Sequence, residues 1–281
     1  MKIGPYELFA FEHGRFKLDG GAMFGVVPKV LWQKTNPADE KNRIDMALRS
    51  LLIIGNGKVI LVDTGIGSKL NEKLMTIYGV DYSQYSTGKS LEKMGLKPED
   101  VTDVILTHLH FDHAGGATVA DKSGAVQAAF PNATYYIQKG QYAWGKKPSE
   151  RDRASFFPEN YVPLQQAGQL VQLEESQELF PGIEVRKLFG HTPSMQIVRV
   201  TDGSKTLLYC ADLIPTASHI PLPWIMAYDL NPLLTLEEKK QILPTAVKEN
   251  WILMFEHDPF RAATKVIHDG KDYRMGEEVS L

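Results

Sequence analysis

The run Thr107-His108-Leu109-His110-Phe111-Asp112-His113-Ala114-Gly115-Gly116 constrains this chain more than any other stretch. Three imidazoles and one carboxylate sit close together, directly after an apolar segment, 102–107, that reads as a buried strand. Neutral imidazole and carboxylate together form the donor set that zinc, iron and manganese take. Loops at the ends of rigid strands are where such chemistry is usually carried. His108 and His110 alternate, so both can face one way while Leu109 faces the core. Asp112 and His113 come one turn later and can point to a second position. Such a cluster hardly closes around one ion, and two positions need ligands from elsewhere.

Three later segments offer them. His191 follows an apolar strand-like run at 183–189, Asp212 follows Leu208-Tyr209-Cys210-Ala211, and His257 follows 251–255. Each alone has an ordinary explanation as a solvated turn residue. Together they mark the exits of buried runs, where one rim of a layered sheet structure would gather them.

The chain has 281 residues, 43% of them apolar and 23% charged, and can bury a large core without a structural metal. A metal site here is therefore expected to do chemistry. At ~150 residues per domain the length allows one large or two small domains. No repeat, low-complexity tract or linker divides it, so a single domain over 1–281 is expected. The formal charge of −3 and pI near 6.3 argue against a nucleic-acid partner. Cys210 is the one cysteine, which excludes an intrachain disulfide and a thiolate cluster. Glu7 and Glu12 interrupt any apolar leader, and no run approaches the ~18 residues of a membrane span. These features predict a cytoplasmic protein that does not enter membranes.

The remaining pattern interleaves hairpins with helices. Two β-branched runs around Gly55-Asn56-Gly57 predict a hairpin ending at Asp63-Thr64-Gly65. Helices are expected near 68–77, 90–94 and 139–145, and strands at 133–138, 196–200 and 206–210, the last two joined at Asp202-Gly203. Thr235 and Glu238 predict a capping box opening a helix to about Asn250, which Pro244 would bend. Residues 146–163 read as an inserted loop or lid, and 214–232, with its prolines, as irregular. His13 and His268 read as ordinary histidines, and Cys210 as a small buried apolar residue.

These motifs resemble the metallo-β-lactamase superfamily. His108-x-His110-x-Asp112-His113 matches its signature. His191, Asp212 and His257 match its later ligands in order and approximate spacing, and Asp63 matches its first motif. The resemblance implies an α/β fold, an αβ/βα sandwich of two mixed sheets flanked by helices, with the site along one edge. It implies two divalent metal ions, zinc foremost, with iron, manganese or cobalt as alternatives. His108, His110 and His191 would hold the first ion, Asp112, His113 and His257 the second, and Asp212 would bridge. Asp63 would orient a ligand histidine. A metal-bridging hydroxide would attack the substrate, and Asp112 would pass a proton to the leaving group. A His rather than a Glu at position 110 argues for hydrolysis over diiron redox chemistry. An Asp rather than a Cys at position 212 argues against antibiotic hydrolysis.

Within the superfamily the chain is most similar to quorum-quenching N-acyl-homoserine lactonases and methyl parathion hydrolase-like enzymes. Phe111 within the signature, Gly190-His191-Thr192-Pro193 and Asp19-Gly20-Gly21-Ala22-Met23-Phe24-Gly25 carry that likeness. Two departures stand out. Ser194-Met195 follow Pro193 in place of the usual Gly-His. Pro215 stands where well-known lactonases have a catalytic tyrosine. The expected reaction is opening of an acyl lactone or cleavage of a related ester or phosphotriester. The alternatives are a glyoxalase-II-like thioester hydrolase and a non-catalytic metal-binding module. The expected partner is a small-molecule substrate, with a homodimer possible. Phe24, Phe111, His219, Trp224 and Met226, with Met23 and Ile225, are the expected apolar and polar lining of the pocket.

Overall fold

The computed structural model describes residues 1–281. One seven-stranded sheet runs Lys2–Ile3, Tyr6–Asp19, Arg43–Gly55, Lys58–Val62, Asp103–Ile105, Thr134–Gln138, Leu170–Leu173. The other runs Gln177–Phe180, Ile183–Leu188, Met195–Thr201, Thr206–Tyr209, Ile252–Met254, Ala263–His268, Tyr273–Glu278. Both are mixed. In the first, the strands from Lys58–Val62 to Leu170–Leu173 are parallel; in the second, Thr206–Tyr209 pairs in parallel with Ile252–Met254. The sheets pack face to face with helices outside, the expected sandwich.

The sequence runs explain the layering. Leu51, Ile53, Ile60 and Val62 face the second sheet, where they meet Val185, Ile197 and Leu207. Leu52 and Leu61 turn the other way, into a core shared with Leu91, Tyr161 and Leu164 of the outer helices and turns. A strand buried on both faces must be apolar at successive positions, which is why these runs do not alternate. Asn56 (φ 50°) and Gly57 (φ 72°) both take left-handed backbone, and Gly55 pairs with Lys58 across them. Left-handed backbone at both turn positions is the geometry that suits a two-residue hairpin.

Several expectations need correction. The longest strand, Tyr6–Asp19, carries no clean period in the sequence. A register shift between Glu12 and Gly14 is the reason. Before the bulge Tyr6 and Leu8 face the sheet–sheet core; beyond it Phe16 packs among Met23, Phe24 and Phe111. A bulge inserts one residue and flips the alternation. The helices lie at Glu72–Ile77 and Thr87–Lys93, opened by Asn71 and Ser86, whose side chains accept from Leu74 N–H and Lys89 N–H. The expected capping box does not form. The last helix opens at Pro232, before Thr235, and runs through Pro244 to Lys248. Thr235 Oγ1 instead donates to Asp229 (2.7 Å), and Glu238 accepts from the N–H groups of Phe189 and Gly190 (2.6 and 3.2 Å). Tertiary partners outcompete the local cap. No helix is long and apolar enough to cross a membrane.

Candidate metal centre and its cavity

The exits of the parallel strands converge on one rim. The chain leaves Lys58–Val62 at Asp63, which takes left-handed backbone (φ 63°), and leaves Asp103–Ile105 for the histidine run. Thr64 pins the two together: its N–H and its hydroxyl both donate to the His113 carbonyl at 2.8 Å. The closing Gly115-Gly116 pair is required by backbone proximity. A Cβ at Gly115 would lie 2.1 Å from the Ile66 carbonyl oxygen, and one at Gly116 2.1 Å from that of Thr64. Asp212 follows Ala211, a second non-glycine residue with left-handed backbone (φ 44°). Uncommon backbone at such positions is a recurrent feature of functional sites.

All seven sequence-predicted ligands meet there, and all are buried. His108 Nε2 lies 3.1 Å and His191 Nε2 3.2 Å from His110 Nδ1. His113 Nε2 and His257 Nε2 lie 3.2 Å apart. Asp212 faces both groups: its Oδ2 is 3.3 Å from His191 Nε2, and its Oδ1 is 3.3 Å from His257 Nε2 and 3.6 Å from His113 Nε2. Asp112 Oδ2 stands 3.7 Å from His257 Nε2 and 3.9 Å from His113 Nε2.

The opposite ring nitrogens are already engaged. His191 Nδ1 bonds Asp229 (2.8 Å), His257 Nδ1 the Ala47 carbonyl (2.9 Å), and His113 Nδ1 both Glu256 (2.8 Å) and Asp63 (3.2 Å). His108 Nδ1 lies 3.0 Å from Thr107 Oγ1, whose own proton goes to Asp63 at 2.6 Å. With Nδ1–H donated outward, His108, His113, His191 and His257 turn Nε2 inward, while His110 turns Nδ1 inward. Nitrogens facing each other at 3.1–3.2 Å must share either a proton or a cation. Two nitrogens at 2.0–2.1 Å from one tetrahedral zinc are separated by about 3.3 Å. Asp212 Oδ1, which faces the second donor group, is buried with no hydrogen-bond partner. The donor set thus fits two divalent cations.

Electrostatics agree. Burial pushes the His108 and His110 rings well below the usual imidazole pKa, and neighbouring rings push the same way. Burial opposes charge on His257 too, yet the Asp212 and Glu256 carboxylates outweigh it and hold its pKa at about 9. His113 is likewise raised against burial by Glu256, Asp212 and Asp112. The buried carboxylates draw positive charge into the cluster, which is what a cation site requires.

Above the cluster lies a cavity of about 430 Å³. His110, Asp112, His191, Asp212 and His257 form its floor. Met23, Phe111 and Met226 line it, as expected, joined by Leu18, Ala22 and Ala227; Tyr78, Tyr228 and Arg151 add polar atoms. Phe24, His219 and Trp224 do not reach it. Phe24 is fully buried, stacked on Trp32 at 5.2 Å and on His219 at 4.6 Å, with Trp224 edge-on at 5.6 Å. These aromatic rings pack against one another behind the wall. The 146–163 segment does cover the site: Arg151, Asp152, Ala154 and Ser155 line the cavity, and the Phe156 ring sits 4.8 Å from His110. Asp229 and Glu256, which hold His191 and His113, belong to no sequence motif. The available signals were a lone acid in the apolar 214–232 segment and the acid next to His257. His13 is buried between Thr87 and Ser50, His268 is exposed, and Cys210 is buried and free.

Residues 49–260 match the family model of the metallo-beta-lactamase superfamily, and the chain belongs to that superfamily. Among curated relatives, an N-acyl homoserine lactonase of a Bacillus species is 28% identical over 216 residues, covering 71% of this chain and 76% of the relative. Among solved structures, a probable metal-dependent hydrolase from Staphylococcus aureus is 32% identical with a TM-score of 0.88, covering 99% of this chain and all of that one. AidC, a dizinc quorum-quenching lactonase in complex with a product, shares the fold at a TM-score of 0.81, with 23% identity over 100% of this chain and 97% of its own.

Proposed function

We propose that this protein is a dinuclear metal-dependent hydrolase that opens an acyl lactone or cleaves a related ester or phosphotriester. One observation carries the reading: two groups of inward-facing donors, joined by the two oxygens of Asp212, form the floor of a largely apolar cavity. His108, His110 and His191 would hold one cation, Asp112, His113 and His257 the other, and Asp212 both. Two such ions, zinc in the first instance, would supply a hydroxide at neutral pH and polarise the scissile oxygen. Lactonase relatives, and a dizinc lactonase sharing the fold, support this choice of substrate and metal.

The chain's own groups do the rest. Asp63 and Glu256 hold the His113 ring by Nδ1, and Asp229 holds His191, so the inward lone pairs keep their direction. Met23, Phe111 and Met226 take up the acyl portion and exclude water. Asp112, on the cavity surface, carries a proton to the leaving oxygen. Pro215 offers no hydroxyl, but Tyr78 and Tyr228 line the same cavity. Burial, with Asp112 nearby, raises both phenol pKa values, so both stay protonated donors for a developing oxyanion.

The test is a panel of N-acyl homoserine lactones, aryl esters, phosphotriesters and S-lactoylglutathione, assayed before and after chelation, with metal content measured. The expected result is metal-dependent hydrolysis that favours the first three. Dominant thioesterase activity would move the protein to the glyoxalase-II-like class. Two bound ions with no turnover would leave a metal-binding module.

A further inference from the structure

Lys239 lies in the helix Pro232–Lys248, fully buried, with no carboxylate paired to it. Its Nζ donates instead to carbonyl oxygens of one short stretch: His219 and Pro221 at 2.7 Å, Trp224 at 3.1 Å and Leu222 at 3.3 Å. The sequence of that stretch, His219-Ile220-Pro221-Leu222-Pro223-Trp224, explains the need. Two prolines remove donors, and the chain is irregular, so its inward carbonyls have little local backbone to bond. An ammonium brings three donors to one point. Burying a charge is costly, so a lysine retained here serves an arrangement that an apolar residue could not hold.

The stretch packs behind the cavity wall. His219 Nε2 donates to the Met23 carbonyl (2.8 Å) while its ring stacks on Phe24, and Trp224 meets Phe24 edge-on. Ala227 N–H donates to the Ala22 carbonyl (2.8 Å), and Met226, Ala227 and Tyr228 then line the cavity. We propose that Lys239 is a positioning residue for substrate specificity. By gathering the carbonyls of residues 219–224 it fixes the apolar wall, and so sets which acyl chains the site accepts. This inference rests on the hydrolase reading for its kinetic arm only.

The test compares wild type with Lys239→Met in the metal-loaded full chain. Amide hydrogen exchange over residues 216–231 reads the anchoring directly, and about a tenfold acceleration confined to that stretch is expected. Kinetics on butanoyl and dodecanoyl homoserine lactones read the wall. KM for the dodecanoyl substrate should rise about tenfold more than for the butanoyl one, with kcat falling less than KM rises. Unchanged exchange, or equal loss on both substrates, overturns the proposal. Should Lys239→Met fail to fold, Lys239→Gln, which keeps two donors, should shift the same ratio to a smaller degree; an unshifted ratio again overturns it. Should wild type hydrolyse neither lactone, the lactone part of the hydrolase reading falls by itself. The wall is then judged by Trp fluorescence titration with the two acyl homoserines, where discrimination equal to wild type in the variant overturns the inference.

Discussion

On the floor of the cavity, side chains are held by side chains. Asp63, Glu256 and Asp229 stand behind His113 and His191, and each imidazole has one direction left. On the wall, the backbone itself is held: Lys239 grips the carbonyls of 219–224, and Arg151 Nη2 donates to the Ala227 carbonyl at 2.7 Å. The floor tolerates almost no displacement, since metal geometry is fixed to tenths of an ångström. The wall needs only shape and dryness, so a few polar anchors on an irregular segment suffice. A substitution on the floor should therefore cost turnover and metal, while one on the wall should cost discrimination or transition-state contacts and leave the ions in place.

Asp212→Ala is the harshest test of the floor. It removes the oxygens facing both donor groups and leaves buried imidazoles without their carboxylate. Metal analysis should show the loss of at least one ion, and kcat/KM should fall on the order of 10³-fold or more. Full occupancy by both ions in this variant would refute the bridge.

The phenols of the wall come next. If Tyr78 and Tyr228 together do the work that a tyrosine at position 215 would do, the double change to Phe should lower kcat about 10²-fold with both metals retained. Each single change should cost less, because the other phenol remains. An unaffected kcat would leave oxyanion stabilisation to the floor alone and erase the division of labour.

A smaller effect probes the support of the floor. Asp63→Asn keeps the hydrogen bond from Thr107 N–H in shape but loses the charge facing His113. Metal affinity should weaken about 10- to 100-fold, with the Km of a short acyl substrate little changed at saturating metal. Isothermal titration of the chelated protein with zinc measures it directly.

The two regions also differ in how far the sequence discloses them. The floor's first ligands are neighbours in sequence, and the later ones mark the exits of apolar runs, so order and spacing expose them. Their supports are not exposed in this way: Glu256 reaches His113 across 143 positions of chain, and neither residue hints at the other. On the wall, Phe24, His219 and Trp224 are apolar or aromatic residues of the right kind in the right segments, yet they stack with one another and leave Met226 and Tyr228 to face the cavity. The carbonyls of this irregular segment are bonded by Lys239, which comes from a helix that opens at Pro232, before Thr235. The bulge in Tyr6–Asp19 hides the longest strand for a related reason: one inserted residue breaks the period that sequence reading depends on.

Acid separates the regions most gently, because a buried neutral histidine underlies each. His13, beneath the floor, bonds Ser50 Oγ, whose proton goes to the Asp63 carbonyl, and burial depresses its pKa to about 3. His219, behind the wall, is depressed to about 4, mainly by burial. In both, the folded pKa lies below the unfolded value near 6.5, so the unfolded chain takes up protons first. The stability each neutral ring contributes is fully present above about pH 6.5 and is lost as pH falls toward the folded pKa. One pH unit below 6.5 this amounts to about 1.4 kcal/mol for each ring. Urea unfolding of the chelated protein at pH 8 and pH 5.5 should therefore show a smaller acid loss in His13→Gln and in His219→Gln than in wild type. Titration of the metal ligands is common to all three proteins and cancels in the difference. Below pH 4 the His219 contribution to the slope ends while that of His13 continues, so the His219 variant should rejoin the wild-type slope first. Identical acid sensitivity in all three would mean that both rings are already charged in the fold, and that neither region depends on a neutral imidazole.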